Sequence, residues 1–232
     1  MTSFSSVLPS LPTLFAIVLA ALAAYVGKKL SDTDTLARNI GAGARWRQWL
    51  VASVKQGSIP EDLGGFLLAL LQNLDVCRKS HSVVLPVTFF YLAADTLAYL
   101  AASSDRTSIS EDSFSKWIET FLNPDAGEYR YPAKRLYAAR CRLLEISETG
   151  RDQKPQGDNY LITYTHEERH VIGDARTAEV HVVSVSVLMR DLEIAIKRFA
   201  EVLQRDQSTM DRAQSRWPPA WGLGSLVSLD HY

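Results

Sequence analysis

Residues Val87–Ala102 read VTFFYLAADTLAYLAA, a run with a single charge, Asp95, in otherwise apolar or neutral surroundings. Pro86 precedes it, and proline suits the first helical position, where its missing N–H costs nothing. The stretch predicts a helix buried on most of its surface. A carboxylate inside such a helix needs a partner, because burying an isolated charge is expensive.

Working outward, the same punctuation recurs on both sides. Ser31–Asp34 can cap a helix at Thr35. Leu36–Val54 carries Ile40, Trp46, Trp49, Leu50 and Val54, is weakened by Gly41 and Gly43, and is ended by Gly57. Ser58 and Pro60 open Glu61–Arg78, whose FLLALLQNL run is apolar enough for a core and whose terminal charges suit the helix dipole. After a loop at Ser103–Thr107, Ser108-x-x-Glu111 is a candidate capping box. Phe114, Trp117, Ile118, Phe121 and Leu122 then recur at helical spacing until Asn123-Pro124 stops them.

A turn-rich stretch, Asp125–Pro132, leads into a helix over Ala133–Ile146, and Gly150–Asp158 is loop. Tyr160–Thr165, YLITYT, alternates like a strand, and Val180–Val183 is its expected partner in a small hairpin. Val185–Leu203 is expected as the last helix, with Val185, Leu188, Met189, Leu192, Ile196, Phe199, Val202 and Leu203 on one face. The tail holds RWPPAWGLG and is expected to be irregular. The fold class is therefore mainly α: a helical bundle with a small C-terminal β-hairpin and a long final helix. Its expected parts are an apolar segment 1–30, a helical region 31–80, a helical domain with hairpin 81–205 and a tail 206–232.

Composition narrows the functional classes. The 232 residues are 47% hydrophobic and 22% charged, with a formal net charge of −1, so nucleic-acid binding would need a local basic patch. Cys77 and Cys141 form no C-x-x-C pair, which argues against a cysteine zinc site or a disulfide framework.

The first 27 residues carry no charged side chain, and Leu11–Gly27 is followed at once by Lys28 and Lys29. Seventeen helical residues span about 25 Å, slightly less than the ~30 Å hydrocarbon core. Three readings stay open: a membrane anchor, a buried or partner-facing helix, and a signal peptide. The charge bias after the segment would hold the rest of the chain on the cytoplasmic face. Membrane attachment through residues 11–27 is thus one expected partner interaction.

Ala133–Ile146 reads AKRLYAARCRLLEI. On a helical wheel Leu136, Tyr137, Leu143 and Leu144 fall within about 60° of Arg140, while Arg142 points the other way. Arg140 sits in the middle of the apolar stripe, where a charge must be paired or line a cleft. Asp95 is the natural partner. Lys134, Arg135, Arg140 and Arg142 also cluster on this helix, with Tyr131 and Tyr137 nearby, a set suited either to RNA phosphates and bases or simply to solvation.

The runs PVTFFYLAADTLAYLA, FSKWIETFL and LYAARCRLLE resemble a group of bacterial proteins whose corresponding helix reads close to LYAARCGLLHT. That arginine-x4-histidine spacing is similar to the motif of HEPN (higher eukaryotes and prokaryotes nucleotide-binding) domains. The resemblance covers about Val84 to Glu148. It implies a dimeric helical ribonuclease in which arginine binds the scissile phosphate and histidine moves protons, in host-defence or toxin–antitoxin settings. Here Arg140 matches the arginine, Glu145 stands at the histidine position and Arg142 at the glycine. Asp95 is a candidate for the acid that such domains pair with their arginine. A carboxylate repels a phosphodiester and is ordinarily deprotonated near neutrality, so Glu145 puts metal-independent cleavage in doubt.

Residues 166–170 read HEERH, the H-E-x-x-H form of zinc proteases. That motif requires a helix, whereas this one follows a strand, and Glu168 and Arg169 would be charged where such a helix is buried. No third ligand is evident beyond Glu179 or Glu193. No Gly-rich phosphate loop and no G-x-S-x-G elbow is present. Together with this resemblance, the residues lead to the expectation of a catalytically degenerate HEPN-like module for RNA binding or protein interaction, with Arg140 and Glu145 at the positions that the resemblance implies were catalytic. Asp95, Lys134, Arg135 and Tyr137 are its binding candidates, RNA and a second copy its expected partners, and neither metal nor small-molecule cofactor is expected. The alternatives are an active ribonuclease using Arg140 and a zinc-dependent hydrolase on His166, Glu167 and His170.

Overall fold

The apolar run around Asp95 is helical, and the elements beside it are closed by identifiable chemistry. The computed structural model describes residues 42–102, 109–123, 129–145, 161–175 and 178–217. Their order is α1 (Ala42–Lys55), α2 (Glu61–Arg78), α3 (Val84–Ala101), α4 (Glu111–Trp117) passing into a π-helical turn (Ile118–Leu122), and α5 (Ala133–Glu145). Then come β1 (Leu161–Thr165), β2 (Val171–Ala175), β3 (Ala178–Ser184), α6 (Val185–Arg205) and α7 (Gln207–Arg216). The protein is mainly helical, with a small sheet and a long helix toward its C-terminal end. The apolar stretch 11–27 lies outside the described residues, as do the tail motif beyond Trp217 and the loop at Gly150–Asp158.

The chain divides into two compact units between Asn73 and Leu74. In the first, Gly57 takes a left-handed φ of +75° and stops α1, as its position predicts. The N–H groups of Ser58 and Ile59 and the Ser58 hydroxyl then converge on the Ser53 carbonyl at 2.9, 3.2 and 2.9 Å. Gly64 lets α2 approach α1: a Cβ there would lie 2.1 Å from Val54 Cγ2. Leu50, Ile59, Leu63, Leu67 and Leu70 are fully buried.

In the second unit α3 is the central helix. It is long and apolar enough to cross a membrane, yet 13 of its 18 residues are buried inside the protein, as in a core helix. The start of α4 corrects the expected cap. The capping box is Ser110 with Ser113, not Ser108 with Glu111, and Ser108 lies outside the described residues. A serine hydroxyl can both donate and accept, so Ser113 plays the part expected of glutamate. Phe114, Trp117, Ile118, Phe121 and Leu122 are all buried, as their spacing predicts.

The last turn of that helix widens to π geometry, with the Asn123 N–H reaching back to the Ile118 carbonyl at 2.9 Å. The Phe121 carbonyl instead accepts from Arg198 Nη1 of α6 at 3.2 Å. Asn123 then clamps Tyr131: its Nδ2 donates to the Tyr131 carbonyl at 2.8 Å and its Oδ1 accepts from the Tyr131 N–H at 2.9 Å. This clamp fixes the segment that enters α5.

The sheet departs from the expected hairpin. Its strand order is β1-β3-β2; β1 and β3 do pair, but in parallel, and the antiparallel hairpin is β2–β3. Thr165 sits beside Ser184, and Val171 beside Val182. The chain must therefore cross over the end of β3 between those points. Alternation shows that a segment is a strand but not which way its partner runs.

Beyond β3 the chain enters α6 directly, with the Ser184 hydroxyl accepting from the Val187 N–H. Of the predicted α6 face only Val202 is not fully buried. A further helix, α7, corrects the expectation that α6 is the last. Asp206 both ends α6 and caps α7, accepting from the Ser208 N–H. The sequence of α7 offers only Met210 and Ala213 to the interior besides Thr209, too thin a stripe for periodicity to reveal.

Arginines tie these helices together. Arg78 at the end of α2 reaches Glu193 Oε2 at 2.6 Å and the Met189 carbonyl at 3.2 Å on α6. Arg216 of α7 donates to the Tyr99 carbonyl on α3 at 2.6 Å and lies over the Tyr99 ring. Phe199 of α6 is fully buried and meets Phe121 edge to face at 5.5 Å. Phe199→Ala is expected to cost about 3–5 kcal/mol in urea unfolding, the range for an aromatic deleted from a closed core.

Candidate functional site

Helix α5 presents two chemically different faces. Its inward face carries Arg140 to Asp95 of α3, the pairing that their sequence positions imply. Arg140 Nε and Nη2 both contact Asp95 Oδ2, at 2.8 and 2.6 Å. The side chains are 17% and 7% exposed, so the guanidinium is closed against its carboxylate and only its edge is left to solvent. Asp95 Oδ1 is buried with no hydrogen-bond partner among the described residues.

The electrostatics reflect that incomplete satisfaction. Burial raises the Asp95 carboxyl above its usual range while Arg140 pulls it back, so the pair's attraction does not fully offset desolvation. On the other side of the guanidinium, Nη1 lies 3.7 Å from Cys141 Sγ, and Tyr137 faces it at 5.7 Å from its ring centroid. Tyr137 also packs on Phe114 of α4, ring to ring at 5.7 Å.

The outward face is basic. Lys134, Ala138 and Arg142, one helical turn apart in succession, are exposed, and Arg135 is half-buried beside them. The helix thus brings Asp95 and Arg140 together inside, keeps Tyr137 half-buried at the edge, and leaves Lys134 and Arg142 outside. Glu145 is the last residue of α5, and its side chain lies outside the described residues.

The HEERH residues form no helical metal motif. They follow β1 as the crossing strap over the end of β3, with His166–Arg169 exposed in a bend. His170 is half-buried and engaged at both ring nitrogens: Nδ1 accepts from the Ser184 N–H at 3.0 Å, and Nε2 lies 2.9 Å from the Tyr131 hydroxyl. The arrangement leaves His170 no free lone pair for a metal. Of the two candidate third ligands, Glu179 has its side chain outside the described residues, and Glu193 is engaged by Arg78.

Around His170 lies a polar cluster that sequence reasoning leaves unassembled. The Tyr131 hydroxyl donates to Asp191 Oδ2 at 2.8 Å. Tyr129 stacks on His170 at 4.1 Å between centroids and meets His181 Nδ1 with its hydroxyl at 3.3 Å. Nearby, the hydroxyls of Tyr91 on α3 and Tyr164 on β1 share a short hydrogen bond, and burial raises both phenols. No spacing rule links these residues, which come from six separate segments.

Comparison with protein-family models, with curated proteins and with solved structures gives no match.

Removing Asp95 would strand a mostly buried guanidinium. Asp95→Ala is expected to lower unfolding free energy by about 3–5 kcal/mol, toward the lower end because Arg140 keeps a solvent edge. Asp95→Asn retains an acceptor and is expected to cost less in the same urea titration.

Proposed function

We propose that this chain is a noncatalytic helical module that binds single-stranded RNA through the outer face of α5. The observation that carries the reading is the exposed ridge of Lys134, Ala138 and Arg142, flanked by Arg135. Between the two cations stands only alanine, so a phosphate backbone can approach the helix closely. Phosphate neutralisation by such side chains supplies sequence-independent affinity. Tyr137, half-buried at the margin of the ridge, offers ring surface to a base.

Arg140 has a different part in this reading. Asp95 neutralises it at 2.6 Å, and a scissile phosphate would have to displace that carboxylate. A carboxylate, Glu145, stands at the motif's histidine position, so the imidazole that suits proton exchange near neutrality is missing there. The HEPN resemblance then describes a helical scaffold whose ribonuclease chemistry has lapsed. In the same reading, residues 11–27 hold the module at the cytoplasmic face of a membrane, and a second copy is its partner.

Fluorescence anisotropy with a labelled single-stranded RNA tests this on the full chain in EDTA. Binding should weaken in Lys134→Ala/Arg142→Ala, and the slope of log K against log salt should fall by about 1.4, or ~0.7 for each phosphate no longer neutralised. The RNA should stay intact. Absence of binding at low salt, or cleavage that Arg140→Ala abolishes, would overturn the proposal.

A further inference from the structure

The HEERH strap ends in a histidine whose surroundings admit only one neutral tautomer. The Ser184 backbone N–H can only donate, so Nδ1 of His170 must carry a lone pair. The ring proton is then on Nε2 and points to the Tyr131 oxygen, leaving the Tyr131 proton for Asp191 Oδ2. The chain of donors runs one way: Ser184 N–H to His170, His170 to Tyr131, Tyr131 to Asp191. A second ring proton could enter only at Nδ1, where it would face the Ser184 N–H.

Ser184 is a junction. It is the last residue of β3 and the N-cap of α6, and it is fully buried. Its hydroxyl also donates to the Glu167 carbonyl at 2.5 Å. The strap is thus fastened to the start of α6 at two points, His170 and Glu167, on either side of the crossing. Meanwhile the side chains of His166, Glu167, Glu168 and Arg169 are exposed.

We propose that residues 166–170 are a pH-sensitive strap, in which protonation of His170 at Nδ1 breaks one of its two fastenings to the β3–α6 junction. The step is a proton taken from solvent and the rupture of the hydrogen bond from Ser184, with no covalent change. It does not depend on the RNA-binding reading, since the strap contributes no residue to the basic ridge.

The groups facing His170 set its direction. From α6, the Asp191 carboxylate favours the cation, while Arg190, 3.1 Å from Asp191 Oδ1, opposes it and partly neutralises that carboxylate. From the segment before α5, Tyr129 covers one ring face and Tyr131 holds the edge. From β3, His181 stands behind Tyr129 at its hydroxyl. Burial outweighs Asp191 and holds His170 below its ordinary 6.5. A base whose folded value lies below its unfolded one stabilises the closed form above 6.5, and that stability is lost as pH falls through the folded value.

NMR on the isotopically labelled full chain tests the strap. The His170 ring signal and the exchange protection of the Ser184 amide, corrected for intrinsic exchange, are followed from about pH 7.5 to about pH 5. Both should change together, with one midpoint below 6.5 and a loss of protection of up to about tenfold, the worth of one hydrogen bond. Asp191→Asn removes the charge that favours the cation and should move both midpoints down. His170→Gln should abolish the pH dependence. Ser184 protection that stays flat while the His170 ring titrates would overturn the proposal, as would a loss that persists in His170→Gln. If neither variant folds, the joint titration in the unaltered chain decides.

Discussion

A carboxylate in the middle of an apolar helix and an arginine in the middle of an apolar stripe are each expensive, and in this chain each is the other's remedy. Asp95 is buried in α3, and Arg140 is turned inward on α5, with two guanidinium nitrogens on one carboxylate oxygen. The contact fixes which face of α5 looks inward. It thereby fixes which face looks out, and turns Lys134 and Arg142 to solvent. The cost shows in the buried Oδ1 that the arginine leaves unsatisfied. An ion pair of this kind adds little net stability over an apolar pair, but it penalises any register in which the two charges fail to meet.

Arginine recurs as the means of fixing one helix against another. Arg78 joins the end of α2 to α6, Arg198 joins α6 to the π turn, and Arg216 joins α7 to α3. In each case a guanidinium donates to a main-chain carbonyl, which supplies direction that aliphatic packing lacks. The same economy appears at Ser184, which ends a strand, caps a helix and fastens the strap. Functionally, the basic ridge of α5 and the His170 strap are separate features, one facing solvent, the other half-buried, where burial disfavours the charged imidazole.

The main helices and the central pair are legible in the sequence because they rest on local periodicity and on one physical rule. Helical spacing marks Phe114–Leu122 and the α6 face, and Gly57 marks the end of α1. The rule that a buried charge needs a partner connects Asp95 with Arg140 before any geometry is known. What stays hidden depends on non-local hydrogen bonding. The alternation in YLITYT cannot disclose that β1 runs parallel to β3. Asp206 serves as the end of one helix and the cap of the next, so α7 has no preceding loop to announce it. Tyr129, His181 and Asp191 carry no signal in their own segments, since only the fold brings them to His170. The HEERH letters suggest zinc, and the parallel crossing explains instead why a polar strap is needed there.

The central claim is that Asp95 and Arg140 act as one unit, and a double-mutant cycle tests it most directly. Unfolding free energies would be measured by urea titration for the unaltered chain, Asp95→Ala, Arg140→Ala and the double variant. The account predicts strong coupling, with the double variant recovering about 1–3 kcal/mol relative to the sum of the single losses. Losses that add within about 0.5 kcal/mol would show two independent side chains and contradict it.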